Sequence, residues 1–209
     1  MRNYLKLFFL GILTFLLFPP FFLIPIGFLT LPGFYFIITE YQYKSIKKSF
    51  FEGYIFGFGL NLFLFNWLKN PFLIEETTKN YFLLSYLLVF IISIYFGLFA
   101  VTLRLFKNNK IKIIVFPLLL VIFEVIRSKL FLPFPWNLFA YVISDKNYLT
   151  EIIKYIGTYG LSYVVILILL LPVSLFYIIY NINYKFNLYY VIIVLSILLT
   201  LYIFSNNQK

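Results

Sequence analysis

Apolar runs separated by short polar connections make up almost the whole chain. The first run, residues 5–38, is too long for one bilayer crossing, and Pro19-Pro20 divides it. Because a membrane-spanning helix needs about 20 mainly apolar residues, this pattern predicts seven helical spans. They are residues 5–18, 21–38, 50–67, 81–103, 113–131, 151–177 and 188–204, followed by a short tail at 205–209.

The start of the chain allows two interpretations. Arg2 and Lys6 precede an apolar run, as they would in a cleaved signal peptide. No small-residue cleavage site follows, so the sequence favours a retained first helix. In the second span, Pro25 and Pro32 each predict a kink, since proline removes a backbone donor and crowds the preceding turn.

The composition supports a membrane protein of the helical kind. The chain has 209 residues, of which 63% are hydrophobic and only 11% are charged, well below the charged fraction of soluble domains. The apolar runs are continuous, whereas the strands of a membrane barrel alternate apolar and polar positions. We therefore expect one all-α integral membrane domain over residues 1–204.

The basic residues have a regular distribution between the spans. They fall at every second connection, and the intervening connections are neutral or mixed in charge. Since cytoplasmic loops are rich in lysine and arginine, the pattern predicts a cytoplasmic N-terminus and a C-terminus on the outer, periplasmic side. The clusters are Arg2 with Lys6, Lys44 with Lys47 and Lys48, Arg104 with Lys107, Lys110 and Lys112, and Lys185.

The net charge of +10 raises nucleic acid as a partner. Binding of that kind needs a basic face on a folded surface, whereas these charges lie where bilayer orientation requires them. We expect no nucleic-acid binding. The chain also contains no cysteine and no histidine, which excludes thiol nucleophiles, histidine bases and the usual zinc sites. No catalytic residue, metal or cofactor is predicted.

Two opposite charges, Glu124 and Arg127, lie within the fifth apolar run. Charges at membrane depth are costly and mark functional sites, and a spacing of three residues places both on one helix face. One hypothesis is that Arg127 holds the phosphate of a lipid headgroup, which suits a guanidinium. The structural alternatives are an internal Glu124–Arg127 pair, or an arginine that caps carbonyls left without partners by the following prolines.

A proline-rich turn, Leu132-Pro133-Phe134-Pro135-Trp136, follows this charged helix. The prolines predict a stiff, non-helical loop. Trp136 either lines a lipid entry or anchors the loop at the membrane interface, where tryptophan is common. Earlier in the chain, a small residue recurs in the third span at Gly53, Gly57 and Gly59. Such spacing favours close helix packing over substrate contact.

These motifs, in this order, resemble the N-terminal membrane half of bacterial apolipoprotein N-acyltransferase. The resemblance covers nearly the whole chain, and its most specific block extends from Glu124 to Tyr141. The matching segments are Leu17-Phe18-Pro19-Pro20, Gly53-x3-Gly57-x-Gly59 followed by Asn66-Trp67, Gly97-Leu98-Phe99-Ala100, Glu124-x2-Arg127, Phe134-Pro135-Trp136 and Phe139-x-Tyr141.

The resemblance implies a protein of the bacterial inner membrane. Enzymes of that family transfer an acyl chain from a phospholipid to the N-terminal cysteine of a diacylated lipoprotein. Their chemistry takes place in a nitrilase-like domain through a Glu–Lys–Cys set and a thioester. The resemblance implies the lipid-contact candidates Arg127, Glu124, Trp136 and Tyr141. Tyr141 rests on the resemblance alone.

Two features limit what this chain is expected to do by itself. It has no cysteine for a thioester, so we expect the catalytic domain to be missing, separately encoded or removed. In addition, Ala140 stands where the family usually has glycine, and Val142 where a small polar residue is common. The alternatives are a non-catalytic membrane scaffold or degenerate remnant, and a small transporter. Against transport, neither converging mid-bilayer charges nor an inverted repeat is visible.

Overall fold

The computed structural model describes residues 2–40, 45–130, 133–145 and 152–206. Within these ranges the chain is helical and contains no strand. Among the described residues there are eight α-helices and three 3-10 turns. The α-helices are α1 (Arg2–Phe15), α2 (Ile24–Thr39), α3 (Ile46–Leu64), α4 (Leu84–Arg104), α5 (Asn109–Lys129), α6 (Ile153–Leu169), α7 (Leu171–Ile179) and α8 (Tyr184–Asn206).

Three helical stretches in the described ranges are long and apolar enough to cross a membrane, namely Lys79–Arg104, Ile153–Ile179 and Tyr184–Ile203. Two shorter helices, Asn3–Phe15 and Ile24–Thr39, are also apolar. Each predicted span coincides with helical structure, and most helix ends differ from the predicted ends by a few residues. The all-helical, apolar character expected from the sequence is therefore present.

The sixth predicted span is broken in the structure. Helix α6 ends at Leu169 and α7 begins at Leu171, with Pro172 in the first turn of α7. A proline has no N–H to donate to the preceding turn, so the helical hydrogen-bond pattern cannot continue through this point. The break lies inside a stretch for which the sequence predicted one uninterrupted helix.

Two further expectations need correction, and some residues named above lie outside the described ranges. Pro25 does not kink α2 but lies in its first turn, where a missing N–H costs nothing. Helix α8 continues to Asn206, so the predicted tail begins later than expected. The tail residues 207–209, together with Lys44 and Leu132, lie outside the described residues.

The connection between α3 and α4 is a series of tight turns rather than an open loop. Helix α3 ends at Leu64, and a 3-10 helix, Asn66–Leu73, begins directly after it. Asn66 and Trp67 therefore belong to this 3-10 helix. The sequence had instead predicted that they form the end of the third span, at residues 50–67. A second 3-10 turn, Lys79–Tyr81, leads into α4.

A cluster of four buried phenylalanines joins the central helices. Phe34 of α2 stacks on Phe56 of α3 with ring centroids 3.8 Å apart and planes 4° from parallel. Phe99 of α4 and Phe116 of α5 meet edge to face at 5.1 Å. Because all four side chains are fully buried, the cluster fixes how these helices pack around one core.

Glycines allow the closest helix contacts. A Cβ atom at Gly53 of α3 would collide with the backbone carbonyl of Phe96 on α4, and one at Gly59 would collide with the carbonyl of Phe8 on α1. Gly57 lies against the side chain of Phe96. Because the contacts at Gly53 and Gly59 involve backbone, α3 can lie this close to α1 and α4 only where no side chain intervenes.

The connections that follow α1, α3 and α5 lie together at one end of the bundle, which we call the loop end. Phe18, after α1, lies 5.6 Å from Phe139, and Phe65, after α3, lies 5.1 Å from Phe134, measured between ring centroids. We call residues 133–138, the described part of the connection after α5, the proline loop. The proline loop therefore packs against the end of α3, and Phe139, the residue that follows it, packs against the α1–α2 turn.

Candidate functional site

The proline loop is held by Arg127, in the last turn of α5. The Nη2 group of Arg127 donates hydrogen bonds to the carbonyl oxygens of Trp136, at 2.7 Å, and Asn137, at 3.5 Å. The first of these is a short, charge-assisted bond. Pro133 and Pro135 have no N–H groups, so this stretch can form little backbone hydrogen bonding of its own. The guanidinium supplies donors that the loop's carbonyl groups would otherwise lack.

Glu124, one turn earlier in α5, holds the residues that follow the loop. Its Oε1 atom accepts a hydrogen bond from the backbone N–H of Phe139 at 2.8 Å. The next N–H, that of Ala140, donates to Ser162 Oγ of α6 at 3.0 Å. These two N–H groups begin the 3-10 turn Phe139–Ile143, and the first N–H groups of a helical turn have no partner within it. Glu124 and Ser162 therefore cap this turn from two different helices.

The hydrogen bonds of Glu124 and Arg127 distinguish between the roles that the sequence suggested for this charged pair. Both side chains are buried, Arg127 at 5% exposure and Glu124 at 7%. In the described part of the chain, their hydrogen bonds are directed at the loop and the 3-10 turn rather than at each other. For Arg127 this is the alternative in which an arginine caps loop carbonyls. For Glu124 it is a role that the sequence did not suggest.

The two tryptophans of the chain meet at the loop end. Trp136 of the proline loop lies against Trp67, with ring centroids 5.1 Å apart. Phe134 stacks on Trp136 at 6.1 Å. Trp136 is 51% exposed and Trp67 is 40% exposed, so the pair forms an aromatic surface on the outside of the bundle. Arg127 fixes the backbone of this surface by bonding the Trp136 carbonyl.

Tyr141, the fourth lipid-contact candidate, lies within the 3-10 turn and is half-buried. Ala140 and Val142 on either side of it are buried at 2% and 0% exposure. The two departures from the family pattern are thus apolar side chains packed in the interior. The described structure joins Arg127 directly to Trp136 and Glu124 to Phe139, and Tyr141 lies in the 3-10 turn that Glu124 caps.

Sequence reasoning missed three polar residues of this region. Asn61 of α3 and Ser93 of α4 are fully buried and hydrogen-bonded to each other at 3.2 Å. Ser162 of α6, also fully buried, accepts from Ala140. The available signal was the same one that identified Glu124, a polar side chain inside an apolar run. It was applied to charged residues and not to amides and hydroxyls.

The site consists of hydrogen-bond donors and acceptors that hold a backbone segment in place. In the described ranges, His, Cys, Asp and Glu side chains form no group of three that could hold a metal ion. The arrangement can orient the proline loop and present its aromatic side chains, and it offers two charged groups shielded from the surface.

Comparison of the amino-acid sequence with known proteins identifies a family for this chain. Residues 10–171 match the family described as the apolipoprotein N-acyltransferase N-terminal domain. This region includes the proline loop and both charged residues, but not α8.

Curated relatives carry the same name. The chain is 36% identical over 166 residues to the apolipoprotein N-acyltransferase of Rickettsia prowazekii and 33% identical over 163 residues to that of Rickettsia bellii. A third relative, from Rhodopseudomonas palustris, is 27% identical over 171 residues. These matches cover 76%, 76% and 79% of this chain but 32% of each relative, so the chain spans about a third of their length. The chain belongs to the family of the apolipoprotein N-acyltransferase N-terminal domain.

Proposed function

We propose that this chain is the membrane domain of an apolipoprotein N-acyltransferase-like protein. It frames a phospholipid and a diacylated lipoprotein for acylation of the lipoprotein N-terminal cysteine. The observation that carries the proposal is the proline loop, which exposes Trp136 beside Trp67. Arg127 bonds the loop directly, and Glu124 bonds Phe139 immediately after it. Family membership over residues 10–171 supports it.

The proposed domain is a multi-pass bundle of seven crossings in the bacterial inner membrane. Helices α6 and α7 together form one crossing despite their break. Basic residues at the start of α1, α3 and α5 and at the end of α4 support a cytoplasmic position for that end of the bundle. The loop end, with the two tryptophans, then faces the periplasm, and so does the C-terminal end of α8.

We assign different roles to the four candidate residues. Trp136 contacts the lipid part of a substrate, because its ring is exposed at the loop end and offers a flat apolar face with a polar N–H. Arg127 and Glu124 act through the loop that they hold. A phosphate contact by Arg127 would require its guanidinium to leave the Trp136 carbonyl. Tyr141 lines the same region from the 3-10 turn.

The acyl-transfer chemistry itself is proposed to lie outside these residues. The resemblance to the family implies a thioester formed on a cysteine of a nitrilase-like domain, and these 209 residues contain no cysteine. Such a domain would act either as further sequence of the same protein or as a separate partner. In both cases the loop end is the surface that faces it, since the resemblance to the family implies that the nitrilase-like domain lies outside the membrane, on the periplasmic side.

Photo-crosslinking tests whether the proline loop meets the lipoprotein. A photoreactive phenylalanine analogue replaces Trp136 in one variant and Leu105 in another, and each is placed in phospholipid vesicles with a diacylated lipopeptide. Leu105 is 70% exposed and follows the last residue of α4, at the opposite end of the bundle, so it is a matched lipid-facing control.

Both positions should crosslink to phospholipid, and the lipopeptide should crosslink at position 136 at least several-fold more than at position 105. Equal lipopeptide labelling at the two ends would contradict the proposal. Labelling by phospholipid alone at both positions would support a membrane scaffold without a role in acylation.

A further inference from the structure

A small polar pocket lies beneath the proline loop, between α3, α4 and α5. Among the residues that line it are Asn61, Glu124, Arg127 and Asn137. The remaining lining residues are leucines, phenylalanines and Tyr95. The space open to a water molecule is about 30 Å³. Apart from these four side chains and the hydroxyl group of Tyr95, the lining is nonpolar.

Each of the four side chains has one buried polar atom with no hydrogen-bond partner among the described protein atoms. These atoms are Asn61 Oδ1, Glu124 Oε2, Arg127 Nε and Asn137 Nδ2. Glu124 Oε1 already bonds the 3-10 turn, and Arg127 Nη2 already bonds the loop. Since buried polar atoms without partners are costly and rare in native proteins, four in one pocket indicate a ligand.

The orientation of Asn61 is fixed by its neighbour. Ser93 donates its only hydroxyl proton to the carbonyl of Val89 at 2.6 Å. The Ser93 oxygen can therefore only accept from Asn61, which must present its amide nitrogen to it at 3.2 Å. The Asn61 oxygen is consequently left as an acceptor in the pocket.

The inventory of atoms identifies the chemistry of the ligand. Asn61 Oδ1 and Glu124 Oε2 need a donor, whereas Arg127 Nε and Asn137 Nδ2 need an acceptor. An ionised phosphate offers only acceptors, and a metal ion cannot accept from an N–H group. Water donates two hydrogen bonds and accepts two, which matches this set.

The size of the pocket leads to the same ligand. A buried water needs about 10–15 Å³ of such space and two to four polar partners, so about 30 Å³ holds one or two. We propose that this pocket is an internal water site that links Asn61 of α3 to Glu124 and Arg127 of α5 and to the proline loop. The site does not depend on the function proposed above, because it follows from the hydrogen-bonding groups alone.

The water site gives α3 a connection to the proline loop that no direct side-chain bond provides among the described residues. Asn61 is held by α4 through Ser93, and the water passes this constraint to Glu124 and Arg127. Asn61 is therefore a positioning residue for the loop, acting through bound water.

A crystal structure of the full chain, grown in a lipidic phase and resolving ordered water, tests the proposal. We expect isolated density in the pocket at about 2.7–3.2 Å from the Glu124 carboxylate and from the Asn61 oxygen. An unoccupied pocket would overturn the proposal. So would closure by a rotated side chain, or density continuous with a lipid chain or its glycerol hydroxyl.

Two variants sharpen the test. Asn61→Leu removes the acceptor and fills part of the pocket, so the water density should be lost. Asn66→Leu makes the same change at an exposed position in the following 3-10 helix, and the density should remain. Retention of the density in Asn61→Leu, or its loss in Asn66→Leu, would show that Asn61 does not bind this water. If Asn61→Leu does not fold, the unmodified protein still decides the proposal.

Discussion

Helix α3 meets α1 and α4 along glycine-lined seams, whereas α5 meets the proline loop through buried charged side chains. In the seams, Gly53 and Gly59 let backbone approach backbone, and packing is the main stabilising contribution, beside one buried hydrogen bond between Asn61 and Ser93. Around α5, Glu124 and Arg127 carry hydrogen bonds to a segment that is not helical. Regular helices need no polar assistance to pack in a membrane, but a proline-interrupted segment does, because its backbone groups must find partners elsewhere.

The two regions should therefore respond differently to substitution. At the glycines of the seams, added volume should be damaging. Around α5, loss of a donor or acceptor should be damaging even where the volume is preserved. The predictions below test this contrast in order of decreasing effect on the free energy of unfolding, measured by reversible unfolding in mixed micelles.

Arg127→Leu should have the largest effect, a loss of about 3–5 kcal/mol. It removes both bonds to the loop carbonyls and leaves the buried Glu124 without a neighbouring positive charge. Lys129→Leu, at an exposed position of the same helix, is the matched control and should change stability by less than about 0.5 kcal/mol. Similar losses in the two variants would show that burial of Arg127 does not matter.

Gly53→Ala should cost about 1–3 kcal/mol through overpacking. The added methyl group would collide with the backbone carbonyl of Phe96, which cannot move without shifting α4. In Gly33→Ala the same methyl group would meet only the side-chain end of Leu10, with its nearest atom 3.1 Å away. That control should therefore be close to neutral, and an equal loss at both positions would argue against a close α3–α4 seam.

Trp136→Ala should have the smallest effect on stability. Its contact with Trp67 is an aromatic pair at the surface, and such pairs contribute about 0.5–1.5 kcal/mol. A double-mutant cycle with Trp67→Ala isolates this term, because residues in contact give non-additive effects. Strictly additive losses would mean that the two rings do not interact in the membrane-embedded protein.

Much of the helical framework could be predicted from the sequence, because apolar runs of membrane length leave the backbone little choice but helix. The break before α7 was missed although Pro172 marks it, since the run stays apolar around the proline apart from Ser174. The 3-10 helix at Asn66 and Trp67 was missed for a different reason. Their position after a long apolar run is equally consistent with the last turn of a helix.

The candidate site was only partly predictable. Glu124 and Arg127 stand out because charges are rare in apolar runs, and the spacing of three residues suggested that they pair. Their actual hydrogen-bond partners lie up to fifteen residues further along the chain. The loop must fold back onto α5 to bring them there, and the local spacing of residues does not predict such tertiary contacts. Asn61 and Ser93 are thirty-two residues apart, so their meeting depends on the packing of α3 against α4.

The central claim is that Arg127 holds the proline loop against the end of α3, and a crosslink can test it directly. The chain contains no cysteine, so a Trp67→Cys/Trp136→Cys variant carries the only two thiols. A short bifunctional thiol reagent should join them in high yield in lipid, because the replaced rings lie 5.1 Å apart. Adding Arg127→Leu should reduce the yield several-fold, whereas adding Lys129→Leu should not. An unchanged yield with Arg127→Leu would contradict the account.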